Sequence, residues 1–154
     1  LYVQNDMVKG KLVIDNVTMD PSLLDYPAYL FAAQKDHIVP WTSAYKTTAY
    51  LKGDVRFVLG ASGHTAGVVN PVSTDKRNYW VNDDLVADSE EWFRNAKEMP
   101  GSWWKDFTAW LVHLSGKEVS AKKAQGSKVY KPIGDAPGEY VKAKALSIIE
   151  AEAL

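Results

Sequence analysis

Two side chains of this 154-residue chain, Asp36 and His64, have the types and setting for acid–base chemistry. Each follows an apolar, β-type run, so each falls just beyond the carboxyl end of a predicted strand. In parallel α/β sheets, sites gather at those ends, where loops from neighbouring strands meet. A carboxylate beside a histidine fixes the imidazole tautomer and stabilises its cation, which equips the ring to take a proton from a nucleophile. Base assistance of this kind is worth roughly 10²–10⁴ in rate. The nucleophile itself is missing. The chain has no cysteine, so disulfides, thiolate metal sites and a thiol nucleophile within it are excluded. Gly60-Ala61-Ser62-Gly63-His64 superficially suggests a serine elbow, but it departs from G-x-S-x-G. A nucleophile at Ser62 would also stand against the nucleophile–acid–histidine order expected of such a triad, so Ser62 is rejected.

The elements that must position this pair are legible in outline. Residues 27–33 (Pro-Ala-Tyr-Leu-Phe-Ala-Ala) are apolar almost throughout, as in a strand covered on both faces. Pro40-Trp41-Thr42-Ser43 opens a helix carrying Ala44, Tyr45, Thr48, Ala49 and Leu51, which stops at Gly53. Residues 55–59 form a second strand running into the His64 loop. Strand, helix, strand implies two parallel strands and an α/β fold.

Around this unit, residues 1–9 read as a short helix or its end, closed by Gly10. Residues 11–18 are β-rich with a turn at Asp15-Asn16, and Asp20-Pro21-Ser22 opens a turn or single helical turn. Val68-Val69-Asn70-Pro71 and Tyr79-Trp80-Val81 suggest a further extended pair. Asp88-Ser89-Glu90-Glu91 starts a helix. After a break at Pro100-Gly101-Ser102, a last helix aligns Trp103, Trp104, Phe107, Trp110, Leu111 and Leu114 on one face, a spacing that favours core packing over a binding surface. His113 reads as an ordinary surface or helix-end residue. Residues 117–138 look irregular, and residues 139–154 have helical propensity.

Composition narrows the function classes. The hydrophobic share is 46%, the charged share 24% and the net charge −1, ordinary globular values that argue against a dedicated nucleic-acid or anionic-membrane binder. No apolar run approaches the roughly 18 residues of a transmembrane helix. With no signal-peptide layout and no cysteine, the cytoplasm is the default compartment. The three histidines share no ligand-spaced motif, so no metal is expected.

The motifs around the pair add a resemblance. Phe31-Ala32-Ala33-Gln34-Lys35-Asp36-His37-Ile38-Val39-Pro40-Trp41 resembles the segment around the catalytic aspartate of polyhydroxyalkanoate synthases. Residues 57–71, centred on Ser62-Gly63-His64-Thr65-Ala66-Gly67, resemble the segment around their catalytic histidine. Lys76-Arg77-Asn78-Tyr79-Trp80 and Pro100-Gly101-Ser102-Trp103-Trp104 continue the likeness. Ala136-Pro137-Gly138-Glu139-Tyr140-Val141-Lys142-Ala143-Lys144-Ala145 is similar to the ending of class I members, which favour short-chain monomers.

The resemblance implies the C-terminal part of an α/β-hydrolase fold over residues 1–116, followed by a C-terminal extension over 117–154. It implies an acyltransferase that polymerises (R)-3-hydroxyacyl-CoA, in the first place 3-hydroxybutyryl-CoA, into polyester and releases CoA. His64 is then the general base, and Asp36 either orients it or activates the monomer hydroxyl. The nucleophilic cysteine is expected upstream, which makes the chain a fragment, inactive alone. His37 and Trp41 become candidates for lining the substrate path, with a structural role at least as strong for His37 and packing favoured for Trp41. The implied partners are acyl-CoA, the growing polyester, the polymer granule surface and a second copy in a homodimer; nucleic acid is not among them. No cofactor is implied, since acyl-CoA is the substrate. An esterase or depolymerase of the same fold, or a non-catalytic homologue, is the alternative.

Overall fold

The structure is a computed structural model that describes residues 3–121 and 125–144. The chain divides into two units, Leu1–Ser115 and Gly116–Leu154.

In the first unit, residues 3–10 form turns where a short helix was expected, and Gly10 takes a left-handed φ of 63°. Strands β1 (Val13–Ile14) and β2 (Val17–Thr18) pair antiparallel. Asp15 and Asn16 between them both have positive φ, 49° and 62°. Two left-handed central residues define the turn whose twist matches a hairpin, and Asp and Asn tolerate that conformation.

The main sheet has the order β3-β4-β5-β6. Strand β3 (Ala28–Ala33) runs parallel to β4 (Val55–Gly60), in register from Ala28↔Val55 to Ala33↔Gly60. This is the parallel pair that the strand–helix–strand pattern predicts. Strand β5 (Asn78–Val81) adds antiparallel to β4, and β6 (Lys97–Pro100) antiparallel to β5. Alternating residues of β3 and β4 serve two clusters. Ala32, Phe57 and Leu59 meet Tyr45 and Trp92 on one face, while Tyr29, Phe31 and Val58 meet Trp103 and Phe107 on the other. Coverage on both faces explains why β3 lacks a polar alternation.

Three further elements differ from the sequence reading. The helix expected after Pro40 is α1 (Trp41–Tyr45) followed by a 3-10 turn, Lys46–Ala49. The β-branched pair Thr47-Thr48 disfavours α-helix there, and the Tyr45 hydroxyl is anchored by donation to the Val86 carbonyl at 2.7 Å. Val68 and Val69 are not extended: they end α2 (His64–Val69), so β5 pairs with β4 and β6 instead. Tertiary contacts outweigh β propensity in so short a segment. Strand β6 has no β-type sequence pattern; it lies at the sheet edge, where Pro100 can sit at its end.

Helix α3 (Ser89–Asn95) begins as expected, with the Asp88 carboxylate accepting from the Glu91 N–H at 2.7 Å. Helix α4 (Trp104–Leu114) packs only through its first turns. Phe107 and Trp110 are half-buried, whereas Leu111 and Leu114 are exposed. Asp106 of α4 accepts a two-pronged contact from the Arg56 guanidinium and a hydrogen bond from the Tyr29 hydroxyl at 2.9 Å, which joins the helix to β3 and β4.

In the second unit, the described residues contain one 3-10 turn, Tyr140–Lys142, among irregular segments. Residues 145–154 of the helix expected from 139 onwards lie outside the described residues. No helix among the described residues is long and apolar enough to cross a membrane.

Candidate active site

The parallel ladder extends past the strands themselves. Gln34 N–H donates to Gly60 O, and Lys35 N–H donates to Ser62 O, both at 2.8 Å. The loops after β3 and β4 are thereby zipped together, and Asp36 and His64 leave them side by side. Ser62 has a φ of 82°, a left-handed conformation that is strained for a residue with a Cβ. A Cβ on Gly63 would come within 3.3 Å of Lys35 O, so the two loops approach closely at glycine. On Gly67 it would meet Ala61 O at 2.9 Å and the Ala33 Cβ at 3.0 Å, which shows how tightly α2 sits on the strand ends.

His64 is the first residue of α2, and its Nδ1 lies 2.8 Å from Asp36 Oδ2. The other carboxylate oxygen, Oδ1, accepts from the backbone N–H groups of Ile38 (2.9 Å) and Val39 (3.0 Å). The Val39 N–H, the His64 hydrogen bond and the Ile38 N–H together hold the Asp36 carboxyl down at about 2, against burial that pulls the other way. An ionised carboxylate can only accept, so the proton between the two groups sits on Nδ1. Nε2 of the neutral ring then carries the free lone pair. The Asp36 side chain is 9% exposed and that of His64 48%, so the imidazole fronts the solvent and the carboxylate stands behind it. A cavity of about 230 Å³ adjoins the pair, walled by Phe31, Val39, Ala44 and Val68. The arrangement is an oriented proton acceptor at an apolar recess.

The remaining sequence candidates lie elsewhere. His37 is exposed, and neither it nor Trp41 lines this cavity. Trp41 packs against the core beside Phe93, with ring centroids 5.8 Å apart. His113 is exposed in the last turn of α4, where a basic group suits the helix dipole. The sequence reading missed the backbone donors of Ile38 and Val39. Their signal was the Asp-x-x spacing itself, which lets a carboxylate turn back onto following N–H groups. Among the described residues, no group of three or more His, Asp or Glu side chains could hold a metal ion.

Fold and site together define a mixed α/β protein with a hydrogen-bonded carboxylate–histidine pair at its parallel strand ends. The chain is 48% identical, over 94% of its length, to the poly(3-hydroxyalkanoate) polymerase subunit PhaC of Cupriavidus necator. It is 38% identical over 94% of its length to the polymerase subunit PhaC of Rhizobium meliloti, and 35% identical over 84% to poly(3-hydroxyalkanoate) polymerase 2 of Ectopseudomonas oleovorans. The chain is thus similar to the C-terminal portion of polyhydroxyalkanoate synthases. It spans 25%, 23% and 23% of the length of these three relatives. No protein-family model matches it.

Proposed function

We propose that this chain supplies the acid–base half of a polyester-forming acyltransferase, within the C-terminal part of an α/β-hydrolase fold. The substrate is (R)-3-hydroxyacyl-CoA, and the nucleophile is a cysteine thiol carried on polypeptide outside this sequence. Nε2 of His64 takes the thiol proton, and the thiolate attacks the acyl-CoA carbonyl. The C–S bond to CoA breaks, and the CoA thiolate leaves with the proton returned by the imidazolium. For elongation, the same Nε2 takes the proton from a monomer hydroxyl, whose oxygen attacks the enzyme-bound thioester; the C–S bond to the cysteine breaks, and the imidazolium returns the proton to the cysteine thiolate.

The observation that carries this reading is the 2.8 Å contact between Asp36 Oδ2 and His64 Nδ1. It also favours one division of roles. Both Asp36 oxygens are engaged by donors, and the carboxyl is held at about 2, which makes it a weak base that orients His64. His64 then serves both proton transfers. The likeness to the synthases adds a cytoplasmic setting at the polymer granule and a dimeric synthase as parts of the same proposal.

The test is release of CoA from 3-hydroxybutyryl-CoA. The 154-residue chain alone is expected to release none, and sustained release overturns the proposal. In the complete gene product containing this sequence, iodoacetamide is expected to abolish release while a serine-directed phosphonate leaves it intact. The opposite pattern points to a hydrolase with a serine nucleophile.

A further inference from the structure

Helix α2 carries His64 at its first position, yet it is poorly equipped to hold that residue still. It has six residues, and its N-cap is Gly63, with no side-chain hydrogen bond. Helices much shorter than about 12 residues have little stability of their own, and their last carbonyls lack partners within the helix. In α2 those carbonyls are taken up by the segment that starts α4. Trp103 Nε1–H donates to Gly67 O (3.1 Å) and Val68 O (3.2 Å), and Trp104 Nε1–H donates to Val68 O (3.1 Å). Just beyond the helix, the Ser102 hydroxyl donates to the Asn70 carbonyl.

The same indoles reach towards the catalytic side. Trp103 is 7% exposed and stacks on Phe31 at 4.1 Å, and Phe31 walls the cavity beside Asp36 and His64. Trp104 stacks on Trp103 at 4.8 Å and is 37% exposed. Helix α2 is thus pinned at both ends, by Asp36 through His64 and by two indole N–H groups at its C-terminus.

We propose that the indole N–H groups of Trp103 and Trp104 position His64, by clamping the C-terminal carbonyls of the helix it begins. The proposal rests on His64 being the reacting base. Both tryptophans are positioning residues acting through α2, and their N–H groups carry a role separate from the packing of their rings.

The test uses the 154-residue chain labelled with ¹⁵N-histidine. Each tryptophan in turn is replaced by its benzothienyl isostere, which keeps the bicyclic ring and removes only the N–H. Exchange of the His64 Nδ1 proton with water is expected to rise about three- to tenfold, the effect of losing one hydrogen bond. The His37 and His113 signals should stay in place. Trp104 is partly exposed, so its variant keeps the test readable even where the Trp103 variant fails to fold. An unchanged His64 signal overturns the proposal, and so does a common shift of all three histidines, which would mean general loosening. In the complete gene product containing this sequence, Trp104→Phe is expected to lower kcat for CoA release by a similar factor at unchanged KM. A displaced His64 signal with unchanged kcat leaves the clamp standing and overturns His64 as the reacting base.

Discussion

At the level of single residues, the site is a division of labour between a saturated carboxylate and a half-exposed imidazole. On the proposed mechanism His64→Ala removes the group that accepts the nucleophile's proton, and CoA release by the complete gene product is expected to fall about 10²–10⁴-fold. Asp36→Asn is nearly isosteric, but its amide can donate towards Nδ1 and so favours the wrong tautomer. A loss of at least about 10²-fold in kcat is expected, and an unaltered kcat would remove Asp36 from the mechanism. Asp36 also couples the site to acid. Its folded-state carboxyl lies at about 2, below the ordinary 3.8. The stabilisation is therefore complete above about 4 and is lost as pH falls from there through about 2. Circular-dichroism titration should show Asp36→Asn flattening this limb of the acid-unfolding curve.

Among the elements, close approach matters more than propensity. Gly67→Ala should help α2 by about 1 kcal/mol on helix propensity alone. The added methyl, however, meets the Ala61 carbonyl oxygen at 2.9 Å and Ala33 at 3.0 Å, neither of which is a flexible side-chain tip. Overpacking against backbone costs about 1–3 kcal/mol, so the variant is expected to be less stable in urea unfolding. Trp92 of α3 is fully buried against Tyr45 and Phe57, and its indole N–H donates to Asn82 O at 3.1 Å. Trp92→Ala leaves a large cavity and an unpaired carbonyl, and about 3–5 kcal/mol of stability should be lost.

Across the first unit, one polar clamp joins α4 to the sheet. The Arg56 guanidinium contacts both oxygens of Asp106, whose side chain is 13% exposed, and also reaches Asp83 at 3.0 Å. Asp106 raises the Arg56 pKa, and burial together with Asp106 raises that of the Tyr29 hydroxyl. The guanidinium accordingly stays charged and the phenol stays protonated. Asp106→Ala would leave the guanidinium with only the exposed Asp83 and the half-buried Tyr29 hydroxyl without its acceptor, and losing such partners costs about 1–3 kcal/mol. Loss of α4 docking, read by tryptophan fluorescence of Trp103 and Trp110, which stack on Phe31 and Phe107 respectively, should accompany it. A retained spectrum and midpoint would mean that aromatic packing alone holds the helix.

Much of this was written locally. The unbroken apolar run of β3, the Asp88 cap of α3 and the Asp15-Asn16 turn are short-range preferences, and each is realised where its residues stand. The parallel pairing of β3 with β4 followed from their spacing around α1, and the motifs at residues 31–41 and 57–71 carried the likeness to the synthase family. What local sequence could not reveal depends on partners distant along the chain. Val68 and Val69 prefer strands but end a helix, because two indoles some 35 residues later take up its carbonyls. Strand β6 has no pattern of its own and exists because β5 offers an edge. The 2.8 Å contact between Asp36 and His64 exists only because Gln34 and Lys35 extend the parallel ladder beyond the strands. Residue types thus determined which groups could do acid–base chemistry, while only the close packing of loops, glycines and indoles decided that they meet.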